Sequence, residues 1–506
     1  MKATRGMTEV LLGQGYYLRF DPKLQAAAQP YPPLGALIAA ACLRESGHEV
    51  SLFDSMLASS PREWEGALER ARPAVAVVYE DSFNYLSKMC LGRMREASFA
   101  MLRAARDRGC LTLVSGSDAT DHDEEYLAHG ATAVIRGEGE ATLCESIGAI
   151  ASGGAEALHQ VAGLSLRGHD GRVVRTAPRP FLKDLDALPH PAWDLVDWER
   201  YRRVWRSRHG YHSVNLATTR GCPYHCNWCA KPIYGQRYAV RSPRSVAEEM
   251  AWLKRTHAPD HFSFVDDIFG LRPGWVEEFA REVASHDARL PFRCLTRADL
   301  LGDDTVSALQ RAGCRTVWIG AESGSQRILD AMEKGNTVAD IRGAASRLHA
   351  AGIEVGFFLQ FGYPGETRED IDLTRRLVAE CRPDDIGISV SYPLPGTRFY
   401  ERVKAELGAK RNWDDSNDLA MMYRGPFSTE FYRALHRVVH QEFRLDRLRG
   451  RARRPRQAAS LLYHAVTLPW ARRRLEHLAR RPHDGIGPLR AGLSPSQAAI
   501  PSEQRS

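Results

Sequence analysis

The sequence reads as α/β: a doubly wound domain, then a partial (β/α)6 barrel, then a helical C-terminal region. Three observations carry this. Five short β-branched runs alternate with helical stretches over the first 150 residues, and six more strand–helix repeats begin near Val214. Three cysteines then crowd into eight residues directly after the first strand of that second series. Alternating strand and helix is the pattern of a parallel sheet covered by helices on its faces.

In the first unit, Glu9–Leu12, Glu49–Phe53, Ala74–Tyr79, Leu111–Val114 and Thr132–Ile135 are expected as buried parallel strands. Leu34–Glu45, Glu63–Ala71, Lys88–Arg106, Asp123–His129 and Ala141–Ile150 are the expected helices. Ligands of such sheets sit outside the carboxyl ends of the strands. Those ends hold Glu80 and Asp81, then Gly116 and Ser117, then Gly137 and Glu138. Val161–Leu166 and Val173–Thr176, joined by His169-Asp170-Gly171, predict a hairpin, and Leu188-Pro189-His190-Pro191 a stiff joint.

In the second unit the strand candidates are Val214–Thr218, Phe262–Val265, Phe292–Thr296, Thr316–Ile319, Glu354–Phe361 and Ile386–Ser391. Helices are expected over Ser245–Thr256, Trp275–Ser285, Asp304–Ala312, Ser325–Glu333, Ile341–Ala351 and Arg368–Cys381. Barrels of this kind keep their active sites at the carboxyl ends of the strands. The resulting division is an α/β domain at 1–150, a hairpin and linker at 151–205, the barrel at 206–400, a helical basic region at 401–490 and a disordered tail at 491–506.

Hydrophobic content of 43% and charged content of 26% are ordinary for a soluble globular chain. No apolar stretch approaches the roughly 18–20 residues that span a bilayer, and the first residues carry no signal-peptide core. A cytoplasmic location is expected. The net charge of +7 is unevenly spread: Phe431 to Arg490 holds 15 arginines against 4 acids, leaving the remainder slightly acidic. The basic character belongs to the tail, which argues against a nucleic-acid binder overall.

Seven of the ten cysteines (Cys42, Cys90, Cys110, Cys144, Cys294, Cys314 and Cys381) are scattered singly and read as small buried hydrophobes. The other three, Cys222, Cys226 and Cys229, are spaced C-x3-C-x2-C. Three thiolates on one loop can hold three irons of a cubane and leave the fourth open. Structural zinc wants four ligands; His225 could serve as the fourth, but no second CxxC pair exists. A ferredoxin site wants another nearby cysteine, and the next is Cys294. Gly221 and Pro223 mark an exposed loop, which counts against chance burial of three thiols.

This loop, with Trp228 before its last cysteine, resembles the signature of the radical S-adenosylmethionine superfamily. The resemblance runs from Ser213 to Glu401. It implies a [4Fe-4S] cluster on Cys222, Cys226 and Cys229, with the open iron chelating S-adenosyl-L-methionine and cleaving it to a 5′-deoxyadenosyl radical. It also implies an electron donor such as flavodoxin or ferredoxin. Asp266 or Asp267 would lie near the methionine end of that cofactor, although the Asp266-Asp267 pair departs from the glycine-rich form of many relatives. Glu322, with Ser323 beside it, resembles the segment that meets the ribose, since a carboxylate can accept from a diol. Gly362 and Pro393 lie in turns like those after the family's fifth and sixth strands; a purely conformational need for Gly and Pro explains them equally well.

A doubly wound domain ahead of such a barrel resembles the cobalamin-binding branch of the superfamily. The supporting residues are Tyr31–Gly35, Ser46–Val50 and Arg136–Thr142. Cobalamin would contact Glu80, Asp81, Gly116, Ser117, Gly137 and Glu138. No D-x-H-x-x-G loop is present, so the lower face of cobalt would lack a histidine; the alternative is a domain that kept the fold and lost the cofactor. The pair Gly137/Gly139 lacks the third glycine of a dinucleotide fingerprint.

The branch implies a methyltransferase acting on an unactivated carbon or phosphorus of a small-molecule substrate. The alternatives are an oxidative cyclase or rearranging enzyme and, from another class, an RNA-directed enzyme. Arg447–Arg456 and Arg472–Arg481 flank the apolar stretch Ala458–Trp470, which reads either as a solvated helix capping the barrel or as a peripheral membrane contact. Only Tyr463 and Trp470 could stack on bases there, which argues against single-strand binding.

Overall fold

The computed structural model describes residues 8–84, 88–89, 91–229, 233–448 and 455–481. Cys90, the arginines from 449 to 454 and the expected disordered tail at 491–506 lie outside the described residues.

The first sheet is built from β1 (Glu9–Gly13), β2 (Glu49–Leu52), β3 (Val75–Tyr79), β4 (Leu111–Ser115) and β5 (Ala133–Ile135), all parallel. They lie in the order β2-β1-β3-β4-β5. The chain therefore reverses direction across the sheet between β1 and β3, and that switch point opens a crevice at the strands' carboxyl ends. Helices Leu34–Glu45, Arg62–Ala71, Gly92–Arg106 and Glu140–Gly153 cover the faces. Val10, Leu12, Val75, Val77 and Leu113 pack one face, while Leu11, Ala76, Val78 and Val114 pack the other; apolar side chains on both faces explain the continuous hydrophobic runs.

The expected hairpin forms as β6 (Leu164–Arg167) and β7 (Val173–Arg175). β6 pairs antiparallel with β5 and extends the sheet to seven strands. Leu164 and Leu166 are buried in the same core as Leu113 and Ile135, and that burial draws the hairpin onto the sheet.

The rest of the stretch to 205 also binds the two units together. Trp198–His209 forms a helix that begins within the stretch expected as hairpin and linker. Asp197 caps it by accepting from Arg200 N, and Gly210 ends it at φ +78°. Tyr201 OH donates to Asp54 at 2.6 Å and Trp205 Nε1 to the Pro30 carbonyl at 2.7 Å, both in the first domain.

The second sheet begins with β8 (Ser213–Leu216). Two short strands, β9 (Thr219–Arg220) and β10 (Ala239–Val240), then pair with each other around the cysteine loop. The sheet continues through β11 (His261–Phe264), β12 (Phe292–Thr296), β13 (Cys314–Glu322), β14 (Glu354–Phe361) and β15 (Asp385–Val390). Its six strands are parallel and adjacent in chain order, as a partial barrel requires. Capping boxes start two of the helices behind it, Thr337 with Asp340 and Thr367 with Asp370. Helices Thr429–Leu448 and Pro455–Ala479 complete the C-terminal region.

The carboxyl ends of the two sheets face each other. Leu34 and Phe83 of the first domain share a core with Ala217 and Tyr234 of the second. The segment after the barrel returns to the first domain, where Gly92 N donates to the Trp413 carbonyl at 2.7 Å and Ser416 Oγ to Asp21 at 2.8 Å.

Candidate functional site

The cysteine loop leaves β8 at the interface and is held from several sides. Asp266, just past β11, accepts from the backbone N of Thr218 and Thr219 at 2.7 Å each and from both hydroxyls at 3.0 Å. Burial lifts this carboxyl to about 6 in spite of the four donors. Asp266 thus braces the loop's entry. Gly221 follows at φ +75°, where a Cβ would lie 2.4 Å from the Arg237 carbonyl oxygen, so only glycine fits.

Asn227 anchors the other side. Its Nδ2 donates to the Ala331 carbonyl at 2.8 Å and its Oδ1 accepts from Tyr363 OH at 2.9 Å. Its backbone N and O bond Met332 O at 3.0 Å and Phe399 N at 2.9 Å. One asparagine thereby ties the loop to the turns after three barrel strands. Cys222 and Cys226 are buried and Cys229 is half-buried, with none in a disulfide. The Trp228 indole Nε1 is buried with no hydrogen-bond partner, a donor left over once the protein's own contacts are made.

Cationic groups gather behind the loop. The Arg297 guanidinium lies 3.7 Å from the Tyr224 ring centroid and donates to the Lys334 carbonyl at 2.8 Å. Lys334 Nζ meets Glu322 at 3.1 Å, both side chains buried. Burial works against the lysine's charge, but Glu322 and Cys226 outweigh it and raise its pKa. Glu322 sits at φ +58°, where the β13–β14 register shifts. A non-glycine residue held there stores strain, as residues at functional sites often do. Its carboxylate lies at the barrel mouth, already engaged by Lys334.

Across the interface, Arg220 inserts between two carboxylates of the first domain. It reaches Glu138 at 2.9 Å and Glu140 at 2.7 Å, with its side chain only 4% exposed. Its guanidinium also lies 5.4 Å from the Tyr234 ring centroid. Burial opposes its charge, yet Glu140 foremost holds its pKa well above the ordinary value. Lys88, beyond β3, meets Asp267, beyond β11, at 2.6 Å. Glu138 and Asp267 are therefore interdomain bridges.

The other expected contacts have these surroundings within the protein. Glu80 accepts from Gly15 N at 3.1 Å and Ser98 Oγ at 2.7 Å, and burial raises it to about 7. Asp81 accepts from Gly35 N and Phe83 N, each at 3.1 Å, and is raised to about 6 by burial. A Cβ on Gly116 would lie 2.6 Å from Glu80 Cβ, so this glycine serves the close approach of two strand ends. Ser117 opens the short helix Ser117–Asp121, and Gly137 turns at φ +74°. Ser323 faces Thr374 Oγ1 at 3.2 Å. Gly362, at φ +81°, donates to Glu366 at 2.8 Å and accepts from Tyr423 OH. Pro393 is buried beside Tyr392, whose OH accepts from Trp413 N at 3.2 Å.

The sequence reading did not single out Arg220, Asn227, Lys334 or Gln14. Gln14 follows β1 at the switch point, is fully buried, and has neither amide atom partnered. A polar residue between Gly13 and Gly15 at a strand's carboxyl end was the available signal.

Residues 216–378 match the model of the Radical SAM superfamily, so the barrel is a radical SAM domain. An uncharacterized methyltransferase of Pyrococcus horikoshii is 30% identical over 284 residues, 56% of this chain and 60% of that protein. The anaerobic magnesium-protoporphyrin IX monomethyl ester cyclase of Synechocystis is 26% identical over 62% of this chain and 61% of its own. The hopanoid C-3 methylase of Methylococcus capsulatus is 28% identical over 74% and 69%. The chain thus spans about 60% of the length of the first two of these relatives. Among solved structures, the cobalamin-dependent S-adenosylmethionine radical enzyme OxsB superposes with a TM-score of 0.71 at 15% identity, covering 93% of this chain and 72% of that one. TsrM, a radical S-adenosylmethionine methyltransferase from Kitasatospora setae, gives 0.63 at 20% identity over 79% and 75%. The two-domain fold is shared with both.

Proposed function

We propose that this radical SAM domain protein holds a [4Fe-4S] cluster on Cys222, Cys226 and Cys229, binds S-adenosylmethionine at the barrel mouth, carries cobalamin at the first sheet's switch point, and transfers a methyl group to an unactivated carbon or phosphorus of a small molecule. The observation that carries this is the facing of the two sheets' carboxyl ends, with the cysteine loop between them and Arg220 bridging to Glu138 and Glu140. Two residues fit the groups concerned: the orphaned Trp228 indole beside the thiols and the unpartnered, buried Gln14 amide at the end of β1. When bound, the cluster supplies an electron to S-adenosylmethionine and cobalamin supplies a carrier for its methyl group.

The chain's own residues bind and orient. Asp266 and Asn227 fix both ends of the cysteine loop. Lys334 holds the Glu322 side chain in place at 3.1 Å, where a carboxylate oxygen could accept from a ribose diol. The apolar interface of Leu34, Phe83, Ala217 and Tyr234 excludes water between the domains. A flavodoxin- or ferredoxin-type protein is the electron donor in this reading.

Relatives named as methyltransferases and a hopanoid methylase support methyl transfer. The match to a tetrapyrrole cyclase favours a second reading, oxidative cyclisation. The test is product analysis with methyl-labelled S-adenosylmethionine, anaerobically reconstituted protein and candidate acceptors. Methyl transfer gives a labelled product, with S-adenosylhomocysteine and 5′-deoxyadenosine in about equal amounts. An unlabelled product formed with 5′-deoxyadenosine alone would assign the cyclase reading instead.

A further inference from the structure

The helix Pro455–Ala479 has two apolar faces, and only one is covered. His464, Leu468 and Leu475 are buried toward the protein, and Arg472 ties the helix to Glu442 of Thr429–Leu448 at 2.7 Å. The opposite face carries Leu462 at 66% exposed, Tyr463 at 61%, Val466 at 58% and Trp470 at 70%. Among the described residues no other large apolar side chain is more than 40% exposed. Ala458, Ala459, Ala465 and Pro469 are exposed between them, and no charged residue interrupts the sequence from Ala458 to Ala471. At 1.5 Å per residue the stripe runs about 20 Å. A lone exposed leucine needs no explanation, but a continuous stripe of this length marks an interaction surface.

The stripe ends in a cationic collar. Arg473, Arg474, Arg480 and Arg481 are exposed, and the Arg473 guanidinium lies 5.7 Å from the Trp470 ring centroid. The geometry points to an anionic lipid bilayer as the partner of this face. Leu462 and Val466 enter the acyl boundary, Tyr463 and Trp470 sit at headgroup depth, and the arginines meet lipid phosphates. No helix among the described residues is long and apolar enough to cross a membrane, so this one lies along the surface. A second copy of the chain would bring the same positive collar and repel. Two aromatics on an aliphatic stripe are too few for a nucleic-acid platform.

The covered face fixes where the protein would stand on the bilayer. Glu476 is ion-paired with Arg368, the first residue of the helix Arg368–Cys381, which follows the β14 turn at the barrel mouth. The collar therefore lies next to that mouth. The inference does not depend on the cofactors.

The test is flotation of the full chain with vesicles of phosphatidylglycerol and phosphatidylcholine, against phosphatidylcholine alone. The native chain floats with the anionic vesicles and at least about tenfold less with the neutral ones. Leu462→Ser/Val466→Ser/Trp470→Ser and, separately, Arg473→Gln/Arg474→Gln each weaken flotation about tenfold or more, with iron content unchanged. The proposal is overturned if the native chain stays in the pellet, or if the triple variant floats as well as the native chain. It is also overturned if the triple variant loses only a dimer or only RNA binding.

Discussion

The two parallel sheets present the same kind of surface, a row of strand carboxyl ends, yet use their polar residues differently. In the first domain Glu80 and Asp81 are spent on backbone N–H groups and a serine of their own domain. Among the described residues there, both amide atoms of Gln14 are left without a partner, as is Arg136 Nε. In the barrel the loop after β8 keeps three thiols free of disulfides, and its orphan is an indole N–H. A polar residue at a strand end is thus a weak sign of ligand contact; a buried polar residue left without a partner is a stronger one.

The sharpest way to break this contrast is to remove the thiols. Cys222→Ala/Cys226→Ala/Cys229→Ala takes iron from about four per chain to none, while cobalamin retention by the first domain persists. Parallel loss of both would mean that the two ends form one site rather than two.

The Arg220 bridge is next in size. Arg220→Met leaves Glu138 and Glu140 buried beside each other without their cation, a loss of about 3–5 kcal/mol in thermal or denaturant unfolding. Adding Glu138→Gln and Glu140→Gln restores much of it. A single variant as stable as the parent would show that the bridge does not hold the domains.

Titration sharpens the contrast further. Burial lifts the Glu80 carboxyl from its ordinary value to about 7. A carboxyl with a raised folded pKa binds its proton more tightly in the native state, so stability falls as pH rises from about 4.5 to 7. Glu80→Gln removes about 3 kcal/mol of that fall, read from unfolding midpoints across the range. An unchanged slope would place the titration elsewhere.

Lys88 and Asp267 give the smallest effect. Asp267 is 32% exposed, so Asp267→Asn costs about 1 kcal/mol or less, and less still in high salt. A loss of several kcal/mol would mark that pair, rather than Arg220, as the main interdomain tie.

Strand and helix periodicity made both sheets legible in the sequence, and Phe292–Thr296, Glu354–Phe361, Trp275–Ser285 and Arg368–Cys381 match to the residue. The cysteine loop was legible because its ligands are local. Partners distant in sequence were not. Arg220 meets carboxylates 80 and 82 residues away, and Asn227 closes on carbonyls more than 100 residues ahead. The helix Trp198–His209 did carry a signal, with Trp198, Tyr201 and Trp205 on one face, but the proline-rich joint before it reads as linker. The hairpin's pairing to β5 depends on burial across the sheet, which no local pattern reveals.

The central claim, a methyl carrier facing a radical-generating cluster, can be tested without knowing the acceptor. Reduced, cobalamin-loaded protein is given S-adenosylmethionine alone, and S-adenosylhomocysteine is counted. The account predicts a burst of about one S-adenosylhomocysteine per bound cobalamin, kept in the triple cysteine variant while 5′-deoxyadenosine is lost. 5′-Deoxyadenosine from the native protein with no such burst would contradict it.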